Sequence, residues 1–375
     1  MVAVLNSLAD IAGARRLVVK VGSALLVEGG EARGDWLASL AGDIAELRRK
    51  GTQIVIVSSG AIALGAARLK LARGGRGSLA DAQAAASVGQ IALAGLWSQA
   101  LSRHGLIAAQ MLLTLDDLEE RRRYLNAAAT FERLLEAGAV PVVNENDSVA
   151  TAEIRFGDND RLAARVAQAA GADAVLLLSD VDGLYDRDPR APGAALVPRV
   201  DGVNEAVLAM ASGASSSGLG SGGMTSKLQA AQIAERAGIA LAIVNGTHDA
   251  PIDRALASGT GTVFVPQRGS RARQAWLGGR LAAKGVLTVD EGCARALEGG
   301  ASLLAAGITE VTGEFARGDL VTVVSAKGDR VAQGLCEYSA IDCHAIMGAR
   351  QEAQGEKLGY TPRAAVIHRD HLVLL

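Results

Sequence analysis

Lys227 closes an eleven-residue run, SGLGSGGMTSK from Ser217, that holds four glycines and four serines or threonines and feeds into KLQAAQIAERAG, whose apolar spacing predicts a helix. Glycines let a backbone approach a ligand without Cβ clashes, and the unpaired N–H groups and dipole of a helix start favour phosphate. A flexible Gly/Ser linker would share the composition, but Leu219, Met224 and the closing lysine argue for a phosphate-binding loop. No Gly-Lys-Ser/Thr ends it, and the preceding NEAVLAMASGASS reads as helix and loop rather than strand, so it is not a Walker A loop.

Other chemistry-bearing residues follow the predicted strands. Lys20-Val21-Gly22-Ser23 gives a cation and then a glycine turn, and Ser58-Ser59-Gly60-Ala61 gives hydroxyls at a second turn. Asn144-Glu145-Asn146-Asp147 is followed by Gly157-Asp158-Asn159-Asp160, and Ser179-Asp180 by Asp182, Tyr185 and Asp186. Each piece alone has an ordinary explanation: Asn and Asp cap helices and make turns, and a lysine after a strand is usually a solvated charge. All of them fall at the carboxyl edge of one sheet, where open α/β proteins bind ligands. Two lysines and a glycine-rich helix start neutralise nucleotide phosphates, and the carboxylates position those lysines or bind Mg²⁺.

The elements that would hold these residues are legible from residue 16 to about 265, where short apolar runs alternate with amphipathic stretches, the pattern of an α/β fold with a mostly parallel sheet. Strands are predicted at Leu17–Lys20, Ile54–Ser58, Ile107–Leu112, Val140–Asn144, Ala174–Ser179, Leu241–Val244 and Val263–Val265. Helices are predicted at Asp35–Lys50, with Leu37, Leu40, Ile44 and Leu47 on one face, and at Asp116–Ala137. The alanine-rich Leu79–Ala100 is apolar nearly all round, which suits a helix buried on several sides or one at an oligomer interface. The rhythm stops at QRGSRARQ, residues 267 to 274, read as linker; beyond it VLTVD, DLVTVV, RVAQGLC, AAVIH and LVLL predict a small β-rich domain.

Composition sets the class. The 375 residues, 49% hydrophobic and 21% charged, suffice for roughly two domains with a large core. The N-terminal sequence has no basic segment ahead of an apolar one, and no apolar run reaches the ~18 residues of a membrane span, so a cytoplasmic protein without membrane partners is expected. Cys293, Cys336 and Cys343 lack metal or disulfide spacing and are expected to be buried thiols. A net charge of −2 and 3% aromatic residues give no general reason to bind nucleic acid.

The strings VVKVGSA, IVIVSSGAIALG, VGQ, PVVNENDSVATAEIRFGDND, LLLSDVDGLYDRDPR and SGLGSGGMTSKLQAA together resemble the glutamate 5-kinase family, a branch of the amino acid kinase superfamily, over nearly the whole chain. The stretches KGVLTVDEGCARAL, GASLLAAGITEVTGEFARGD and AVIHRD resemble the PUA domain that many bacterial members append. The resemblance implies an open, mostly parallel sheet sandwiched by helices at residues 1–266, a linker at 267–280 and a PUA-like domain at 281–375. It implies ATP-dependent phosphorylation of the L-glutamate γ-carboxylate, the first step of proline biosynthesis, with proline as feedback inhibitor; from the carboxylates and the alanine-rich helix, Mg²⁺ is the expected cofactor and a homo-oligomer the expected assembly. Lys20 and Lys227 match the lysines that stabilise the transferring phosphoryl group, and Asp160 the residue that orients them. Ser59, Asp147 and Asn159 match glutamate-binding positions; Lys20, Ser179, Asp180 and the run Ser221, Gly222, Gly223, Met224, Thr225, Ser226, Lys227 match the ATP site. Family members commonly have threonine at the positions of Ser221 and Ser226, where serine keeps the hydroxyl, and a hydroxyl residue at Ala24, where the contact is lost.

An ionised γ-carboxylate needs no general base, given a reference pKa of about 4.3. That agrees with the absence of His104, His248, His344, His368 and His371 from these motifs. Acetylglutamate and uridylate kinases share the sheet and glycine loops, but NENDS, FGDND and the C-terminal domain favour glutamate 5-kinase. PUA domains often bind RNA. From 281 to 375, however, nine Lys/Arg stand against twelve Asp/Glu, a net −3 that suits a structural or regulatory role better than phosphate contacts.

Overall fold

Strands buried on both faces carry no polar alternation, so runs such as LVVKV and AVLLL belong inside a parallel sheet covered by helices on both sides. A computed structural model, which describes residues 5–149, 158–212, 223–267 and 283–375, has that architecture. The strands are β1 Arg16–Val21, β2 Gln53–Ser58, β3 Ala108–Leu113, β4 Val140–Glu145, β5 Ala174–Ser179, β6 Arg199–Asp201, β7 Ala240–Asn245 and β8 Thr262–Val265. They form one sheet in the order β3-β4-β2-β1-β5-β7-β8-β6, parallel throughout except where β8 runs against β7. The main helices are α1 Gly34–Arg49, α2 Ala61–Leu69, α3 Leu79–Ser102, α4 Leu115–Glu119, α5 Arg121–Glu136, α6 Asp158–Ala169, α7 Glu205–Ser212, α8 Met224–Arg236 and α9 Pro251–Ser258.

Side chains alternate across a strand, and β1 uses the alternation to place its lysine. Leu17, Val19 and Val21 enter one large core with Trp36, Leu40 and Ile44 of α1 and Leu93 and Trp97 of α3. Val18 and Lys20 therefore share the opposite face. Helix α6 packs against β1 and α8 on the layer that carries Asp160 and Lys227.

Several expectations need correction. The helix predicted from Asp116 to Ala137 is two helices, because the Glu120 carboxylate accepts the backbone N–H groups of Arg122 (3.1 Å) and Arg123 (3.0 Å) and starts α5 afresh. Helix α3 buries one face (Ala82, Ala85, Gly89, Leu93, Trp97), while Ile91 is 76% exposed, so it is not buried on several sides. Strand β6 was not anticipated: three residues with exposed Arg199 and Asp201 flanking Val200 give almost no apolar signal.

The chain forms two compact units, the first holding the residues up to Glu119 and Asn126–Gln267, the second Glu120–Leu125 with the C-terminal residues. The second unit has strands β9 Gly285–Val289, β10 Ile308–Gly313, β11 Leu320–Ser325, β12 Arg330–Leu335 and β13 Leu372–Leu374, in the order β10-β9-β11-β12-β13. Its core includes Leu287, Val289, Val321, Val323 and Tyr338. AAVIH is not a strand: it forms one isolated bridge, Ile367 to Leu303, and the Val366 backbone bonds to Leu303 and Glu337 without extending it into a ladder. Conversely, β10 carries exposed residues at four of its six positions, which hid it. Cys336 and Cys343 are buried as expected, whereas Cys293 is only half-buried. Among the described residues no helix is long and apolar enough to cross a membrane.

Candidate active site

A carboxylate at a helix start is ordinary, because it complements the dipole; a lysine there opposes it. Asp160 is the third residue of α6, and Lys227 is the fourth of α8. Asp160 is fully buried, and Lys20 and Lys227 are 7% and 6% exposed. The Lys20 Nζ lies 2.5 Å from Asp160 Oδ1, and the Lys227 Nζ lies 3.1 Å from Oδ2. Ser226 Oγ donates to the same Oδ2 at 3.4 Å. Two buried cations on one buried anion leave a net +1 that the three groups do not cancel among themselves.

The electrostatics follow from that imbalance. Burial pushes the Lys20 ammonium below the ordinary lysine value; Asp160 opposes the shift and the like charge of Lys227 adds to it. Burial alone would raise Asp160, but Lys20 and then Lys227 hold its carboxyl below the usual range. A Cβ placed on Gly22 would come 3.7 Å from the Lys20 Nζ, so the turn after β1 brings bare backbone beside the cation.

A second group of predicted residues assembles from four elements. Ser59 follows β2, and its N–H donates to Val21 O at 3.0 Å, tying it to the end of β1. The next residue, Gly60, has φ +123°, a conformation that favours glycine and lets α2 start at once. The Asn159 Nδ2 donates to Ser59 Oγ at 2.5 Å and to Asn144 Oδ1 at 3.3 Å. Asn144 Nδ2 in turn donates to Gln90 Oε1 of α3 at 2.9 Å. Asn159 Oδ1 is buried and accepts no hydrogen bond among the described residues. Asp147, in the loop after β4, is 8% exposed.

The third predicted group lies at the end of β5. Ser179 is buried and its Oγ donates to Asp180 Oδ1 at 3.2 Å, while Asp180 is exposed. The following loop is held by Asp182, which accepts from Tyr185 OH (3.1 Å) and Asn245 Nδ2 (2.9 Å). Burial and this carboxylate together raise the Tyr185 phenol above its ordinary value. Of the glycine-rich run, Gly223 caps α8 through its backbone, and Met224, Thr225, Ser226 and Lys227 form its first turn. Ser221 and Gly222 lie outside the described residues.

Both oxygens of Asp160 are engaged by lysines, so that carboxylate is an ion-pair partner rather than a metal ligand. Among the described residues no three His, Cys, Asp or Glu side chains group to hold a metal ion. Mg²⁺ in phosphoryl-transfer sites is held by one or two carboxylates plus the substrate's phosphates, a pattern that Asp180 fits. The arrangement is suited to binding two negatively charged reactants and bringing them together, with cations and amides rather than a proton-transferring group.

Sequence reasoning named Asn144 among the chemistry-bearing residues without a role and missed two side chains: Gln90 appeared only inside the string VGQ, and Trp97, whose Nε1 donates to Ser58 Oγ at 2.9 Å, not at all. A glutamine directly after a helical glycine, Gly89-Gln90, was the available signal for Gln90.

The sequence profile of the amino acid kinase family matches residues 15–245, and that of the PUA domain matches residues 285–353. The chain is similar to the glutamate 5-kinase of Novosphingobium aromaticivorans, 63% identical over 361 residues that cover 96% of each chain. It is 60% identical to the glutamate 5-kinase of Sphingopyxis alaskensis over 98% of this chain and 100% of the relative. Against that of Zymomonas mobilis the figures are 52%, 96% and 91%.

Proposed function

The chain belongs to the amino acid kinase family, and within it to the glutamate 5-kinases, and from that premise we propose how its residues carry out the reaction. The enzyme phosphorylates L-glutamate with ATP on its γ-carboxylate, in proline biosynthesis. A γ-carboxylate oxygen attacks the γ-phosphorus of ATP, the bond to the bridging oxygen of the β-phosphate breaks, and ADP leaves with those electrons. No proton changes hands. The barrier is one of positioning and of charge.

We assign the net positive cluster of Lys20 and Lys227 on Asp160 to the phosphoryl oxygens, and this cluster is the observation that carries the mechanism. Asp160 aims both side chains by pairing one carboxylate oxygen with each. Gly223, Met224, Thr225, Ser226 and the neighbouring Ser221 and Gly222 are assigned to the nucleotide, with Ser179 and Asp180 at the end of β5. Asp180 is assigned to Mg²⁺, which when bound neutralises the phosphates it shares. Ser59, Asp147 and Asn159 are assigned to glutamate: a carboxylate and an amide oxygen both accept from an ammonium.

Proline is proposed as a feedback inhibitor, and the cytoplasm, where ATP is available, as the site of action. A homo-oligomer is proposed from the exposed Ile91 of α3 and the terminal position of β3 in the sheet. The net −3 of residues 281–375 supports a structural or regulatory role for the second unit over RNA binding. The deciding experiment traps the acyl phosphate with hydroxylamine, comparing glutamate, aspartate and acetylglutamate, each with and without proline. Hydroxamate from glutamate alone, suppressed by proline, is expected. Signal only from another acid would overturn the substrate, and glutamate turnover indifferent to proline would overturn the regulation.

A further inference from the structure

Asn159 spends both its N–H groups on Ser59 and Asn144 and leaves its oxygen buried without a donor among the described residues. A buried acceptor left unpaired costs about 1–3 kcal/mol, so this orientation of the amide needs a cause. Ser59 supplies none, since a hydroxyl donates or accepts equally well. Asn144 does: it presents its oxygen to Asn159 because its own Nδ2 is engaged by Gln90 Oε1 at 2.9 Å. Were the Asn144 amide reversed, its NH₂ would face the NH₂ of Asn159. Asn159 would then turn over and present a donor where it now presents an acceptor.

The backbone at Gln90 is held one residue away. Gly89 of α3 and Gly65 of α2 let the two helices touch, and a Cβ on either would run into the backbone of the other helix. Helix α2 begins directly after Ser59-Gly60, so this contact ties Gln90 to the same corner of the sheet as the hydroxyl at the far end of the relay.

We propose that Gln90 is a positioning residue: through Asn144 it sets the polarity of the Asn159 amide, and so makes the site select substrates that carry an ammonium group. The proposal rests on the glutamate-kinase reading above.

The test uses the full chain with two variants, Gln90→Met, which fills the space without an acceptor, and Gln90→Glu, which has only acceptors on its head group. Glutarate, which is glutamate without its amino group, serves as the second probe, read as its inhibition constant against glutamate. Gln90→Met is expected to raise the glutamate KM about tenfold, the size of one hydrogen bond to a charged group, with kcat and the ATP KM within about twofold. The glutarate inhibition constant should stay within the same margin, and Gln90→Glu should restore the glutamate KM. Three results would overturn the proposal: parallel weakening of glutamate and glutarate, a Gln90→Glu enzyme as impaired as Gln90→Met, or an unchanged glutamate KM in Gln90→Met. A wild-type enzyme that makes no hydroxamate from glutamate would instead overturn the underlying reading, which keeps the two failures distinct.

Discussion

Replacing Lys227 by methionine tests whether the charge imbalance at the site is what the enzyme uses. The substitution keeps an unbranched apolar stem and deletes the ammonium. Asp160 then still has Lys20 at 2.5 Å, so a three-charge cluster of net +1 becomes a neutral pair and no buried charge is stranded. Stability should therefore fall by only about 1 kcal/mol, the ordinary cost of a point change. Catalysis should suffer far more. Removing one preorganised group that meets charge in the transition state typically costs 10²–10³ in kcat, about 2.7–4 kcal/mol. Asp160→Asn is the control, because it leaves two buried ammoniums beside each other without the carboxylate they share. Breaking a buried pair in that way costs about 3–5 kcal/mol of stability. Hydroxamate formation at saturating ATP and glutamate, set beside thermal melts of the three proteins, separates the two effects. The reasoning fails if Lys227→Met keeps kcat within threefold. It fails equally if that variant melts as early as Asp160→Asn, which would make Lys227 a structural counter-ion.

The other expectations concern pH, substrate affinity and packing. Because burial lowers the Lys20 pKa, activity should decline on the alkaline side at a pH below the ordinary lysine range; Asp160→Asn should move that limb to lower pH and Lys227→Met to higher pH, as pH–rate profiles would record. Asp147→Asn should raise mainly the glutamate KM with kcat little changed, and a fall in melting temperature with normal KM would refute the assignment. Asp43 of α1 caps α9 by accepting the N–H of Ile252 at 2.8 Å, and burial raises its carboxyl to about 6. The folded state thus holds this proton more tightly than the unfolded chain does, so stability is lost as pH rises from about 4 through 6. An asparagine keeps the accepting oxygen, and Asp43→Asn should be more stable than the parent at pH 8 by about 1–2 kcal/mol after solvent screening, with little difference at pH 4. Gly89→Ala should destabilise by about 2–3 kcal/mol, because the obstacle is rigid backbone of α2 rather than a movable side chain, and denaturant melts would measure it.

What the sequence exposed and what it hid divide along physical lines. The central strands were legible because burial on both faces writes an unbroken apolar run, as in AVLLLS. Strand β6 and strand β10 were hidden because exposed residues dominate them, and AAVIH misled because apolar residues can fill a core with a single bridge and no strand ladder. The residues proposed for phosphoryl transfer were legible for a different reason. Lys20, Asp160 and Lys227 are charged groups at strand or helix ends, where no packing argument calls for a charge, and the parallel topology then brings those ends together.

Gln90 shows where that logic stops. It lies mid-helix, far in sequence from any strand end, in a stretch whose composition speaks only of packing. Its relation to Asn144 depends on the distance between two helices, which is set by two glycines twenty-four residues apart in sequence. A glycine in a helix costs about 1 kcal/mol relative to alanine, and Gly65 and Gly89 repay that by letting α2 and α3 meet backbone to backbone. On this proposal the polarity of one buried amide follows from a close approach of two helices that no local pattern encodes. A site of this kind is built in two grades: charged groups that topology alone assembles, and neutral amides whose orientation depends on the packing of the whole layer behind them.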